Sequence, residues 1–147
     1  MKKFAQFVCV ILVCSFIFAA PAQAASVAEP RGSAFFGSYG TALEKTSAST
    51  FRIWYDVDSN VHAMDVLGVS EIIVYRSADQ QSWQKMRTYT KEIFTSMVDY
   101  NTSSHAGYVT YSGASAGYYY IADVTFYAEN STGHGERYVY TQIIQMG

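Results

Sequence analysis

Tyr118-Tyr119-Tyr120-Ile121-Ala122-Asp123-Val124-Thr125-Phe126-Tyr127-Ala128-Glu129 is the stretch on which the fold turns. Taken every second residue, it separates into two sets. Tyr118, Tyr120, Ala122, Val124, Phe126 and Ala128 form an apolar and aromatic face, while Tyr119, Ile121, Asp123, Thr125 and Tyr127 form a mixed one. Successive side chains of a strand point to opposite sides, so period two over this length predicts a long, half-buried β-strand. The run at 49–58 repeats the pattern. Phe51, Ile53, Tyr55 and Val57 share one face, and Arg52, Trp54, Asp56 and Asp58 share the other.

Working outward, further strands are expected at 34–43, 69–76, 82–90 (carrying Trp83), 106–112 and 136–144. Turn chemistry separates them: 59–68, 77–81, the small-residue corner 113–117, and the glycine-bearing cluster 130–135. Residues 91–104 are the least regular. They have room for one helical turn near 93–97 but read as a loop. Helical periodicity is sustained nowhere after the first two dozen residues. Seven short strands in about 110 residues predict an all-β fold, an immunoglobulin- or fibronectin-like antiparallel β-sandwich. Tyr111 or Tyr118, flanking the corner, could supply the tyrosine that pins such a corner; no cysteine pair is available to staple the sheets.

The chain of 147 residues opens with Lys2 and Lys3, an apolar run from Phe4 to Ala20, and Ala22-Gln23-Ala24. A short apolar run behind positive charge, ending in a small-x-small signal, predicts a secretory signal peptide at 1–24 that is cleaved after Ala24. Residues 25–33 read as a flexible arm and 34–147 as one domain. Both cysteines, Cys9 and Cys14, lie within the signal. Val13 stands where a lipoprotein signal needs a small residue, and the chain ends without a wall-sorting motif, so free secretion is expected. A secreted domain without cysteine points to a bacterial source and to a core large enough to stand unaided. Two of the ten basic residues leave with the signal and all twelve acidic ones stay, for a net charge of about −4 (8 − 12). That balance, with no basic run, argues against nucleic acid and against an anionic membrane surface as partners.

Several stretches together, RGSAFFGSY at 31–39, MDVLGVSEIIVY at 64–75, SWQKMRTY at 82–89, NTSSHAGYVTY at 101–111 and GYYYIADVTFYA at 117–128, carry a resemblance. The pattern is similar to that of a family of small exported proteins of clostridia-like Gram-positive bacteria, known as a domain of unknown function. The resemblance implies secretion and a single β-rich domain, and it brings no activity or catalytic residues with it.

Candidate chemistry is thin. Asp56-Val57-Asp58-Ser59-Asn60 opens like a calcium loop, but Val61 replaces the turn glycine and Leu67 the closing glutamate. His62, His105 and His134 fall in expected loops and lack the short-range partners of a metal motif. Gly113-Ala114-Ser115-Ala116-Gly117 spells a nucleophile elbow, yet a strand is expected after it where the elbow needs a helix. Neither a metal nor a cofactor is expected. Asn101-Thr102-Ser103 and Asn130-Ser131-Thr132 match a glycosylation pattern that marks polar loops.

The aromatic residues stand out, with thirteen tyrosines, all after the signal. Tyr119 and Tyr127 are in phase with Asp123, Tyr75 is expected on the same sheet face, and Trp54 is in phase with Arg52 and Asp56. Flat aromatic faces beside carboxylates suit sugar rings and protein anchors, so these four are the candidate binding residues. They serve equally as cross-strand pairs that stabilise a sheet. The function expected is a non-enzymatic binding or surface-interaction module, its partner an extracellular glycan, the cell wall or a protein. The alternatives are a secreted bacteriocin-like antagonist and a small hydrolase using loop carboxylates or histidines such as Asp99 and His105.

Overall fold

Alternation is carried through into burial. In the strand Thr50–Ser59, Phe51, Ile53, Tyr55 and Val57 are buried while Trp54, Asp56 and Asp58 are exposed. In Tyr119–Asn130, Tyr120, Ala122, Val124, Phe126 and Ala128 are fully buried. The computed structural model describes residues 34–60 and 62–147. The expected signal at 1–24 and the arm at 25–33 lie outside the described residues.

Nine strands are described: β1 (Phe36–Ser47), β2 (Thr50–Ser59), β3 (Met64–Ser77), β4 (Gln84–Thr90), β5 (Val98–Thr102), β6 (Ser104–Ser112), β7 (Tyr119–Asn130), β8 (Gly133–Tyr140) and β9 (Ile144–Gln145). All pairings are antiparallel. One sheet has the order β1-β2-β6 and the other β4-β3-β7-β8, with β5 also on β3 and β9 also on β7. The chain is thus an all-β sandwich, with its core between the two sheets.

Three side chains tie the layers together. Phe51 of β2 stacks on Tyr111 at 5.0 Å and meets Tyr120 of β7 at 5.3 Å, an aromatic contact across the core. The Tyr89 hydroxyl of β4 donates to the carbonyl of Thr110 in β6 at 2.9 Å. Tyr55, whose hydroxyl donates to the Ser96 carbonyl at 3.3 Å, is so desolvated that its phenol is pushed up to about 12.

Both edges of the larger sheet are built from interrupted strands. β4 pairs with the second half of β3 and β5 with its first half, along the same edge. Between them residues 91–97 leave the sheet, make a 3₁₀ turn at Thr95–Met97, and sink Met97 into the core. Gly68 permits this. A Cβ there would lie 2.7 Å from the Val98 Cα and still closer to the Met97 carbonyl. On the opposite edge β8 and β9 follow β7 in turn, and the break between them releases Gln142. Its side-chain amide donates to the Leu43 carbonyl at 2.9 Å and accepts from the Leu43 N–H at 3.2 Å, standing in for a strand on the exposed edge of β1.

The expected seven strands are therefore joined by two more, β5 and β9. β5 forms where a loop was expected because the free edge of β3 supplies the pairing that Asp99 and Asn101 would not favour by themselves. His105 and His134, expected in loops, lie on β6 and β8. At the corner 113–117 the Tyr120 hydroxyl accepts from the Ser115 N–H at 2.8 Å. A strand, β7, does follow Gly113–Gly117. Asp56 and Asp58 stay within β2, and Asp58 accepts from the Ser38 hydroxyl at 2.8 Å.

Candidate functional site

A β-bulge decides what the outer face of the larger sheet presents. Pairing of β3 with β7 slips between Val69 and Glu71, and the extra residue, Ser70, donates from its hydroxyl to the Thr125 carbonyl at 3.3 Å. Beyond the slip Ile72 and Val74 point inward, which leaves Glu71, Ile73 and Tyr75 on the outer face. Two rows follow from the register. Ile73, Asp123 and Tyr140 lie side by side across β3, β7 and β8, and so do Glu71, Thr125 and Tyr138.

At one end of this face Tyr75, Trp83, Ile121 and Tyr140 line an open cleft of about 370 Å³. Tyr75 and Ile121 are cross-strand neighbours, Trp83 comes from the turn before β4, and Tyr140 ends β8. Three aromatic walls around an aliphatic floor are unusual on a solvent-facing sheet.

Asp123 stands beside the cleft, half-buried. Tyr140 is its cross-strand neighbour, and Oδ1 is buried with no hydrogen-bond partner. Burial first, and the neighbouring Glu71 carboxylate second, push the acid above its usual range. No cation is among the charges that act on it. The Asp123 charge in turn raises the Tyr140 phenol. A carboxyl with an unpaired buried oxygen at the rim of an aromatic cleft is the strongest site signal in the described residues.

The four residues expected to form a site are spread over the molecule. Tyr75 lines the cleft. Tyr119 lies on the same face one pleat along β7 from Ile121, opposite Ser77. Tyr127 is eight residues further, roughly 27 Å along the strand. There its ring carries the Lys91 ammonium at 3.6 Å and lies against His134, and its hydroxyl donates to Glu129, an interaction that pushes the phenol up to about 12. Trp54 belongs to the other sheet.

The Trp54 cluster is satisfied within itself. The indole N–H donates to Glu44 at 2.6 Å, the ring meets Tyr108 at 4.6 Å, and the Arg52 guanidinium covers Tyr108 at 4.6 Å while approaching Glu44 to 4.0 Å. The indole N–H, the Glu44 carboxylate and the Arg52 guanidinium are engaged with one another, as expected of a cluster that stabilises a sheet surface.

Trp83, Tyr140, Asp123 and Glu71 were not singled out as site residues from the sequence. The available signal was Tyr138-Val139-Tyr140, an aromatic pair two apart at the end of a strand. What sequence cannot supply is the register that sets Tyr140 beside Asp123. The histidines do not converge, and among the described residues no three metal-ligating side chains come together.

No known protein family matches this chain, and no curated protein is similar to it.

Proposed function

We propose that the chain is an exported, non-catalytic binding module that takes an extracellular glycan on the outer face of its larger sheet. The observation that carries this reading is the aromatic cleft of Tyr75, Trp83 and Tyr140 over Ile121. Sugar rings present flat C–H faces that stack on aromatic rings while their hydroxyls reach polar groups at the rim, and Asp123, cross-strand from Tyr140, is the polar group beside this cleft, with Glu71 one row further along the sheet.

Export rests on the first 24 residues, with their paired lysines, apolar run and small-x-small end. The fibronectin-like reading draws support from the strand order. If β1 to β8 are lettered in sequence as A, B, C, C′, an inserted strand, E, F and G, the sheets are A-B-E and C′-C-F-G, an immunoglobulin-type distribution. The Tyr120 hydroxyl at the start of β7 reaches back to the corner, as the tyrosine of such corners does. The cleft lies on an open sheet face and offers a platform rather than a water-excluding chamber, which favours binding over turnover.

The test is co-sedimentation of the chain from residue 25 onward with insoluble polysaccharides and peptidoglycan. Saturable binding that weakens tenfold or more in Trp83→Ala and Tyr140→Ala supports the reading. Binding unaffected by both substitutions refutes this site.

A further inference from the structure

The charge beside the cleft has no counterpart, and this narrows the ligand. Resting on the glycan reading above, we infer that the cleft takes a sugar ring bearing a free amine, with its ammonium against the Asp123 and Glu71 carboxylates. Three observations lead there. The walls are aromatic and suit a flat ring face. Asp123 and Glu71 repel one another, and no cation is among the charges that act on Asp123. Oδ1 of Asp123 is a buried acceptor without a donor.

The charge and the unpartnered oxygen between them exclude other ligands. A neutral sugar could donate a hydroxyl to Oδ1 but would leave the paired negative charge uncompensated. An acidic sugar would be repelled. A quaternary ammonium would suit the aromatic walls, yet it has no N–H to give to Oδ1. A primary ammonium on a ring offers both charge and donors, and N–H to carboxylate bonds of this kind are the stronger ones. Lys85 pairs with Tyr75 across β3 and β4 but is exposed and is not among the charges that act on Asp123.

Tyr140 is the cross-strand neighbour of Asp123. The residue is 59% exposed and ends β8, so its side chain is free to turn aside for a ligand stacked on Trp83 and Tyr75 that reaches for Asp123. The same tyrosine then forms a wall of the cleft. Elsewhere on the surface the Trp54 cluster is internally paired, and the hollow around His62, Asp65 and Asn130 lacks aromatic walls apart from Phe35.

The experiment is calorimetric titration of the chain from residue 25 with β-1,4-linked glucosamine tetramer and with its fully N-acetylated counterpart. The free-amine oligomer is expected to bind at least tenfold more tightly. Asp123→Asn should erase that preference while keeping binding of the acetylated oligomer, and Trp83→Ala should weaken both. Equal affinity for the two oligomers overturns the inference and leaves the glycan reading standing. A preference that survives both Asp123→Asn and Glu71→Gln overturns it as well, because the carboxylates are then not reading the amine. Tetramethylammonium competing as well as glucosamine would replace it with a quaternary-ammonium cage. Binding of neither oligomer, by a chain whose melting curve shows it folded, defeats the inference for this sugar class, and polysaccharide co-sedimentation then decides whether the broader reading falls too.

Discussion

Tyr140 and Asp123 face one another across β7 and β8, and one oxygen of that carboxyl, Oδ1, is buried without a hydrogen-bond partner. A sheet surface optimised only for stability would not keep this arrangement. Burying an acceptor unsatisfied costs about 1–3 kcal/mol, and Glu71 adds like-charge repulsion. The cost falls where the aromatic walls converge, which is the pattern of a site that exchanges stability for binding.

The first prediction follows directly. Asp123→Asn removes the buried charge, keeps an acceptor and adds a donor, so at pH 7 the variant should be more stable. The gain is about 0.5–1 kcal/mol once the partial exposure of the group is allowed for. The pH dependence has a definite sign. Burial and Glu71 raise the folded-state value of Asp123 above the unfolded one. The folded state therefore holds more proton between the two values, and stability falls as pH rises from the unfolded value of about 3.9 through the raised one. Urea titrations at pH 4 and pH 7 should show the advantage of Asp123→Asn growing with pH. An advantage that is constant or shrinks would show that the charge is not what destabilises the site.

Gly68→Ala tests the interrupted edge. The added methyl would press on the Val98 Cα and the Met97 carbonyl, both backbone, so no side-chain rotation relieves it. The loss should be about 2–4 kcal/mol, with Met97 partly expelled from the core. Chemical denaturation gives the size. A loss under half a kilocalorie would mean that residues 91–97 shift freely and are not pinned where they lie.

Gln142→Ala removes the amide that closes the β1 edge at Leu43. Two hydrogen bonds go at once, for a loss of about 1–2 kcal/mol, and the Leu43 amide should exchange with solvent markedly faster. Gln142→Glu keeps an acceptor for the Leu43 N–H but loses the donor to the Leu43 carbonyl and sets a carboxylate against it, so it should recover only part of the protection.

How far the sequence reveals this architecture depends on whether a residue's role is set locally. Phe51, Ile53, Tyr55 and Val57 announce their face by alternation alone, and β2 and β7 run within a residue or two of where their patterns place them. β5 is invisible because its pairing belongs to the edge of β3 rather than to its own residues. Tyr75 and Trp54 look equivalent in sequence, each an aromatic residue on the polar side of an alternating strand. Only the assembled sheets separate them, by giving Trp54 the partners Glu44, Arg52 and Tyr108, and Tyr75 an open cleft. Asp123 is legible as an outward-facing acid, but its unpaired oxygen arises from three strands in register.

That contrast gives the last prediction. Trp54→Ala deletes the ring on which Tyr108 rests and the indole N–H that holds Glu44, and it leaves Arg52 with a single aromatic face. Cross-strand aromatic and cation–π terms of this kind are worth about 0.5–1 kcal/mol each at exposed sites, so the variant should lose about 1–2 kcal/mol of stability. Its affinity for polysaccharide should stay within twofold of the parent, because the cluster lies on the sheet opposite the cleft. Trp83→Ala should do the reverse, with little change in stability and a large loss of binding, since Trp83 sits in a turn outside the regular pairing. Measuring both quantities for both variants separates the two faces. If Trp54→Ala abolished binding while Trp83→Ala did not, the functional surface would be that of the three-stranded sheet, and the acid beside Tyr140 would need another explanation.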